Sequence, residues 1–188
     1  MSEKYVPTFT LNDGVEVPAV GLGTWQMQGD EVITAVRSAI DTGYRHIDTA
    51  AFYQNEADIG RAIHDAISAG DVTREELFIT SKVWNDQQSD HEVQAAFRAS
   101  LTNLGLDYLD CYMVHWPCPS TGRHVERFAA LSTLQGLGDV RSIAVANYNG
   151  DQLREVQEKT GIVPTINQVE LHPGFSQAEL RETHAQLG

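Results

Sequence analysis

The chain has 188 residues, 41% hydrophobic and 21% charged, which is apolar material enough for a packed core and far from the composition of a disordered chain. Its 13 Lys and Arg against 26 Asp and Glu give a formal charge of −13, a field that repels phosphate backbones and anionic lipid, so no nucleic acid and no membrane is expected as a partner. No apolar run approaches the roughly 20 residues of a membrane span, no basic segment followed by an apolar one opens the chain, and Cys111 and Cys118 do not form a disulfide framework, which together predict a cytoplasmic protein.

An extended run at 8–11, the turn tripeptide Asn12-Asp13-Gly14 and a second run at 15–17 predict a β-hairpin. Extended runs then follow at 19–23, 46–48, 77–82, 109–114, 140–146 and 165–170. Each precedes a stretch of helical periodicity, at 31–42, 56–69, 90–104, 125–137, 152–159 and 177–186. Asp30 is expected to cap the first helix, and Gly43, Gly70, Gly105, Gly138, Gly161 and Gly188 stand where helix ends need a left-handed residue.

Strand-then-helix alternation implies parallel strands with right-handed crossovers, in an open doubly wound sheet or a closed barrel. Asp48, Lys82, His115, Asn147 and Gln168 fall at or near the carboxyl ends of successive runs, where a barrel gathers its chemistry. A nucleotide-binding sheet would want a third glycine in Gly21-Leu22-Gly23-Thr24-Trp25-Gln26, and it is missing. The expectation is an α/β fold of (β/α)8 TIM-barrel type with an N-terminal hairpin, a single partial barrel domain over residues 1–188 that stops after the sixth βα unit, since a complete barrel takes at least roughly 200 residues. The polar loops 85–90 and 117–123 would overhang its mouth. Open barrel edges raise self-association as an expected partner mode.

A phenol titrates near about 10 and is a poor acid at neutral pH unless its anion is stabilised. Tyr53 follows Asp48 by five residues, the Lys82 ammonium could supply that stabilisation, and Asp48 could hold the ammonium in place. A neutral His115 could orient a carbonyl oxygen while hydride arrives at the attached carbon, which requires a nicotinamide cofactor. Side-chain amides at Asn147 and Gln168 are assigned to hold the cofactor's carboxamide. Singly, each residue has a plainer reading: Asp48 and Lys82 as a structural ion pair, His115 as a core histidine, the amides as loop caps. Cys111 reads as core. His115, Cys118 and His124 lack a second paired motif, so no metal is predicted.

The wording around these positions is specific. Gly21-Leu22-Gly23-Thr24-Trp25, Gly43-Tyr44-Arg45-His46-Ile47-Asp48-Thr49-Ala50, Asn55-Glu56, Ile79-Thr80-Ser81-Lys82-Val83-Trp84, Leu104-Gly105-Leu106-Asp107-Tyr108-Leu109-Asp110, Val114-His115-Trp116-Pro117 and Asn167-Gln168-Val169-Glu170-Leu171-His172-Pro173 resemble the aldo-keto reductase family, in particular its bacterial diketogluconate reductase-like members. The resemblance implies a (β/α)8 barrel and an NADPH-dependent oxidoreductase that reduces aldehyde or ketone carbonyls of small molecules to alcohols. Its catalytic group would be Asp48, Tyr53, Lys82 and His115, with Tyr53 the proton donor. It further implies Thr24, Asp48, Asn147 and Gln168 for cofactor binding, and Trp25, Trp84, His115 and Trp116 for the substrate pocket, against core packing as the plainer reading of the tryptophans. Ala146 stands where the family usually has serine, removing a hydrogen bond worth about 0.5–1.5 kcal/mol. The family continues past Gly188, so the resemblance covers about the first two-thirds of such a barrel.

Two other readings follow from the same residues. One is a catalytically silent or fragmentary barrel that acts through a partner chain. The other is a lyase using Lys82 as a Schiff-base amine, ranked last because Asp48 and Tyr53 around the lysine favour its charged, unreactive form.

Overall fold

The structure, a computed structural model, describes residues 7–188; residues 1–6 of the domain expected over 1–188 lie outside the described residues. Strands β1 (Thr8–Thr10) and β2 (Glu16–Pro18) pair antiparallel around the expected turn. There Gly14 adopts φ +85°, and the Asp13 carboxylate accepts the Val15 N–H at 3.0 Å.

After the hairpin the chain alternates strand and helix: β3 (Gly21–Gly23), α1 (Gly29–Thr42), β4 (His46–Asp48), α2 (Glu56–Ala69), β5 (Phe78–Val83), α3 (Asp90–Leu104), β6 (Leu109–Val114), α4 (His124–Leu137), β7 (Val140–Ala146), α5 (Gly150–Thr160), β8 (Asn167–Gln168) and α6 (Ala178–Leu187). Strands β3 to β8 form one sheet in chain order, and every neighbouring pair is parallel. A doubly wound sheet would reverse its order at a switch point; an unreversed order is the arc of a barrel wall. The fold is a half-barrel of six parallel strands with helices outside it, plus the N-terminal hairpin.

Period-two alternation divides the apolar residues between two faces. Ile79, Tyr112, Val114, Ile143 and Val145 pack outward with Val36, Ile63, Phe97 and Leu131 of the helices. Phe78, Cys111, Met113 and Ala144 form a second cluster on the inner face, covered by Val17 and the adjoining Leu11 and Val15 of the hairpin. The hairpin is fastened there by Ser142 Oγ, which donates to Asp13 Oδ2 at 2.7 Å. Because both faces of β5 and β6 are covered, every residue of these strands is buried. Cys111 is thus the core residue its apolar setting suggested, and burial pushes its thiol pKa far up.

Gly43, Gly70, Gly105, Gly138 and Gly161 terminate their helices in the left-handed region, as expected. The expected cap at Asp30 needs correction. Gln28 holds the N-cap position and Asp30 lies in the first turn of α1, because the Gly29 N–H is met by Asp58 Oδ2 of α2 at 2.9 Å. The outermost strands are shorter than expected, β3 beginning at Gly21 and β8 holding two residues, since each has a ladder on one side only. Among the described residues no helix is long and apolar enough to cross a membrane.

Candidate active site

The inner-face period that places Phe78 and Cys111 in the lower core continues upward to Lys82 and His115, beside further polar residues at the strand ends. Asp48 ends β4, Lys82 is the penultimate residue of β5, His115 and Asn147 directly follow β6 and β7, and Gln168 ends β8. Lys82 is 1% exposed; its Nζ donates to Asp48 Oδ1 at 2.5 Å and to the Thr49 carbonyl at 2.9 Å. Asp48 Oδ2 accepts the Gln168 Nε2 amide at 3.0 Å, so one carboxylate bridges β5 and β8. With its ammonium enclosed and doubly engaged, Lys82 is poorly placed to serve as a Schiff-base amine.

Tyr53 ends a single 3-10 turn, Ala51–Tyr53, above β4. Lys82 Nζ lies 5.2 Å from its ring centre and the His115 ring meets it edge-on at 5.5 Å. His115 is 7% exposed, and its Nδ1 is buried without a hydrogen-bond partner among the described residues. Burial first, then the Lys82 charge, lowers its pKa to about 4 against a smaller opposing effect of Asp48, which leaves a neutral imidazole at neutral pH.

The turn that carries Tyr53 is braced by Asn55, a residue whose role the chain pattern did not reveal although Asn55-Glu56 belongs to the wording quoted above. Asn55 is 1% exposed. Its Oδ1 accepts Thr49 Oγ1 at 2.8 Å, and its Nδ2 donates to the carbonyls of Thr24 at 2.8 Å and Met27 at 3.0 Å. Gln28 Nε2 adds a bond to the Tyr53 carbonyl at 2.7 Å. The loops after β3 and β4 are thereby joined through buried polar groups that would otherwise be orphaned.

Tyr53, His115, Asn147 and Gln168 line one cavity of about 460 Å³, together with Trp25, Phe52, Trp84, Trp116, Val169 and Glu170. Trp25 and Trp116 are 62% and 45% exposed, so core packing does not describe them. Trp84 stacks on Phe52 with ring centres 3.8 Å apart, a partner that sequence reasoning missed. A larger cleft of about 840 Å³ lies between α5 and α6, and none of the strand-end polar residues lines it.

Asn147 adopts φ +64°, and its Nδ2 donates to the His115 carbonyl at 3.1 Å. Thr24 stands apart from the other expected cofactor residues: it is fully buried, and its hydroxyl donates to the Asp48 carbonyl at 2.9 Å. Loops 85–90 and 117–123 contribute no cavity-lining residue, though Arg123 Nη1 reaches the Gln88 carbonyl at 3.5 Å and ties them to each other. No group of three or more His, Cys, Asp or Glu side chains among the described residues is arranged to hold a metal ion.

Residues 19–188 match the family described as the aldo/keto reductase family. The chain is 48% identical over 182 residues to an aldo-keto reductase of Mycolicibacterium smegmatis, an alignment covering 97% of this chain and 65% of that protein. It is 43% identical over 183 residues to the 2,5-diketo-D-gluconic acid reductase B of a Corynebacterium, again covering 97% and 65%. Among solved structures, the aldo-keto reductase of Bombyx mori in complex with NADP superposes with a TM-score of 0.91 at 41% identity, over 97% of this chain and 64% of that one. The chain therefore spans just under two-thirds of the length of these relatives.

Proposed function

Because the chain belongs to the aldo/keto reductase family, we propose that it serves NADPH-dependent reduction of aldehyde or ketone carbonyls to alcohols, with Tyr53 as the proton donor. The observation that carries this reading is that Tyr53 and a neutral His115 line one aromatic cavity while the Asp48–Lys82 ion pair lies behind them, Lys82 Nζ 5.2 Å from the centre of the Tyr53 ring.

A cofactor site is supported by the donor set on the β7 and β8 side. The amide nitrogens of Asn147 and Gln168 are engaged with the His115 carbonyl and Asp48, which leaves their side-chain oxygens as acceptors at the ends of adjacent strands. Two such acceptors fit the amino group of a nicotinamide carboxamide, and a Bombyx mori relative was crystallised with NADP. Ala146 adds no polar atom to this wall. When bound, the reduced nicotinamide supplies hydride to the carbonyl carbon.

The residues of the chain do the rest. Neutral His115 holds the carbonyl oxygen by a hydrogen bond, in reach of the Tyr53 hydroxyl, which has no partner among the described residues. Tyr53 transfers its proton to that oxygen as negative charge develops there, giving the alcohol. Lys82, held by Asp48 and the Thr49 carbonyl, stabilises the charge left on the phenol oxygen, and Asn55 and Gln28 keep the turn in place. Trp25, Phe52, Trp84 and Trp116 exclude water and bind the apolar part of the substrate. A cytoplasmic setting agrees with two free cysteine thiols.

The test is Tyr53→Phe. NADPH oxidation with a reactive aryl aldehyde should fall by at least about 100-fold, the usual scale of general acid catalysis, while NADPH binding followed by fluorescence persists. Unchanged turnover would sink the assignment of Tyr53.

A further inference from the structure

Trp116 forms one wall of the cavity, yet it is 45% exposed, which leaves much of its placement to the backbone on either side. On one side the His115 N–H donates to the Val83 carbonyl at 3.2 Å, and the His115 carbonyl accepts Asn147 Nδ2 at 3.1 Å. On the other, Pro117 has no N–H to give, and its carbonyl accepts Arg127 Nη2 at 2.7 Å. The next residue, Cys118, turns the chain at φ +46°, in the left-handed region where a non-glycine residue persists only if its surroundings hold it.

Arg127 is the fourth residue of α4 and is fully buried. A guanidinium there is doubly unfavourable, since it is withdrawn from water and lies at the positive end of the helix dipole. Helix stability therefore does not account for a cation in this place, and the bond to the Pro117 carbonyl does. Tyr148, 1% exposed and next in the chain to Asn147, braces the same region, its hydroxyl donating to the His124 carbonyl at 3.3 Å. We propose that Arg127 is a positioning residue of the substrate pocket, acting through the Pro117 carbonyl to hold the 115–118 corner and, with it, the Trp116 wall. This inference rests on reading the cavity as the substrate site.

A double-mutant cycle on the 188-residue chain tests this, with benzyl alcohol as the probe and fluorescence quenching as the readout, since all three tryptophans line the cavity. Arg127→Met keeps an apolar stem in the helix and removes the donors. It should weaken benzyl alcohol binding about 3- to 10-fold, the scale of one misplaced aromatic contact. In a Trp116→Ala chain, where Trp25 and Trp84 still report, the same substitution should change the affinity by less than about 2-fold, because the wall it positions is gone. Arg127→Lys, which keeps a charged donor, should recover part of the loss. With a reactive aryl aldehyde, Arg127→Met should raise KM by a similar factor and leave kcat nearly unchanged, the pattern of a lost binding contact away from the proton transfer.

Undiminished binding in Arg127→Met, an equal loss in the two backgrounds, or no recovery with lysine overturns the proposal; the equal loss is what a general loosening of the fold would give. If the methionine variant does not fold, Arg127→Gln takes its place in the cycle with the same outcomes. No quenching of the parent chain overturns the proposal and the reading of the cavity together. Coupling between Arg127 and Trp116 without any NADPH oxidation sinks the reductase reading alone. Tyr53-dependent turnover whose KM does not move in Arg127→Met sinks the assignment of Arg127 alone.

Discussion

Gln168 and Asp48 lie 120 positions apart in the chain and meet at 3.0 Å, the Gln168 amide donating to the carboxylate oxygen that Lys82 leaves free. The contact crosses from one end of the sheet arc, β8, to β4 near the other, so the polar cluster at its centre depends on the curvature of the whole wall. A flat sheet would hold these strands far apart, since neighbouring strands are spaced at about 4.8 Å.

Lys82→Met should therefore expose a dependence on that cluster. The change leaves the mostly buried Asp48 with Gln168 as its remaining side-chain partner, and an uncompensated buried charge costs about 3–5 kcal/mol. Urea denaturation should show a lowered midpoint, and adding Asp48→Asn should restore much of the loss. A double variant no more stable than the single one would show that the two groups are not coupled.

Asn55→Ala removes three hydrogen bonds at once and strands the carbonyls of Thr24 and Met27 and the Thr49 hydroxyl in a buried setting. We expect a loss of about 2–4 kcal/mol, measured by denaturation, because orphaned buried polar groups cost more than the bonds nominally contribute. Asn55→Asp should recover the Thr49 contact while losing both donated bonds, and should fall between alanine and the parent only if the two carbonyls matter less than the hydroxyl.

His115 carries a pH signature. In the folded chain it accepts a proton near pH 4, whereas its ordinary value is 6.5, because burial and the Lys82 charge disfavour the cation. Between these values the unfolded chain binds more protons than the folded one, so stability rises with pH across the window. This contribution is complete above pH 6.5 and declines as pH falls toward 4. Burial shifts His46 in the same direction. The variant His115→Gln should lose stability less steeply than the parent over that window, while parallel curves would contradict the assignment; by NMR, the His115 ring signals should show no titration above about pH 5.

Gly60 tests the helix packing outside the sheet. A Cβ there would lie 2.4 Å from the Leu104 carbonyl oxygen at the end of α3, a backbone atom that cannot rotate away. Alanine would ordinarily improve a helix interior by about 1 kcal/mol. Here Gly60→Ala should instead lower the thermal midpoint, with overpacking costing about 1–3 kcal/mol or more. An increase in the midpoint would mean that α2 and α3 can separate freely.

Much of the fold was legible because its signals are local. Helices Glu56–Ala69 and Asp90–Leu104 combine a 3.6-residue apolar period with a following glycine, and strands Leu109–Val114 and Val140–Ala146 are short apolar runs between turn residues. The start of α1 departs from the local signal at Asp30 because what satisfies the Gly29 N–H is Asp58, on another helix. The strand-end placement of Asp48, Lys82, His115, Asn147 and Gln168 could be read by counting. What each side chain touches could not.

The sequence by itself determined the alternation of strand and helix, the family and the set of polar residues at the carboxyl ends of the strands, since periodicity, end signals and motif wording are properties of neighbours along the chain. Only the tertiary structure decided that one carboxylate joins Lys82 to Gln168, that Thr24 is sealed in the interior, that Asn55 locks the Tyr53 turn, and that Glu170 faces the same cavity as every tryptophan. These relationships arise from the curvature of the sheet and the burial it produces, which bring together residues separated by tens of positions and set the solvation and charge that each one feels.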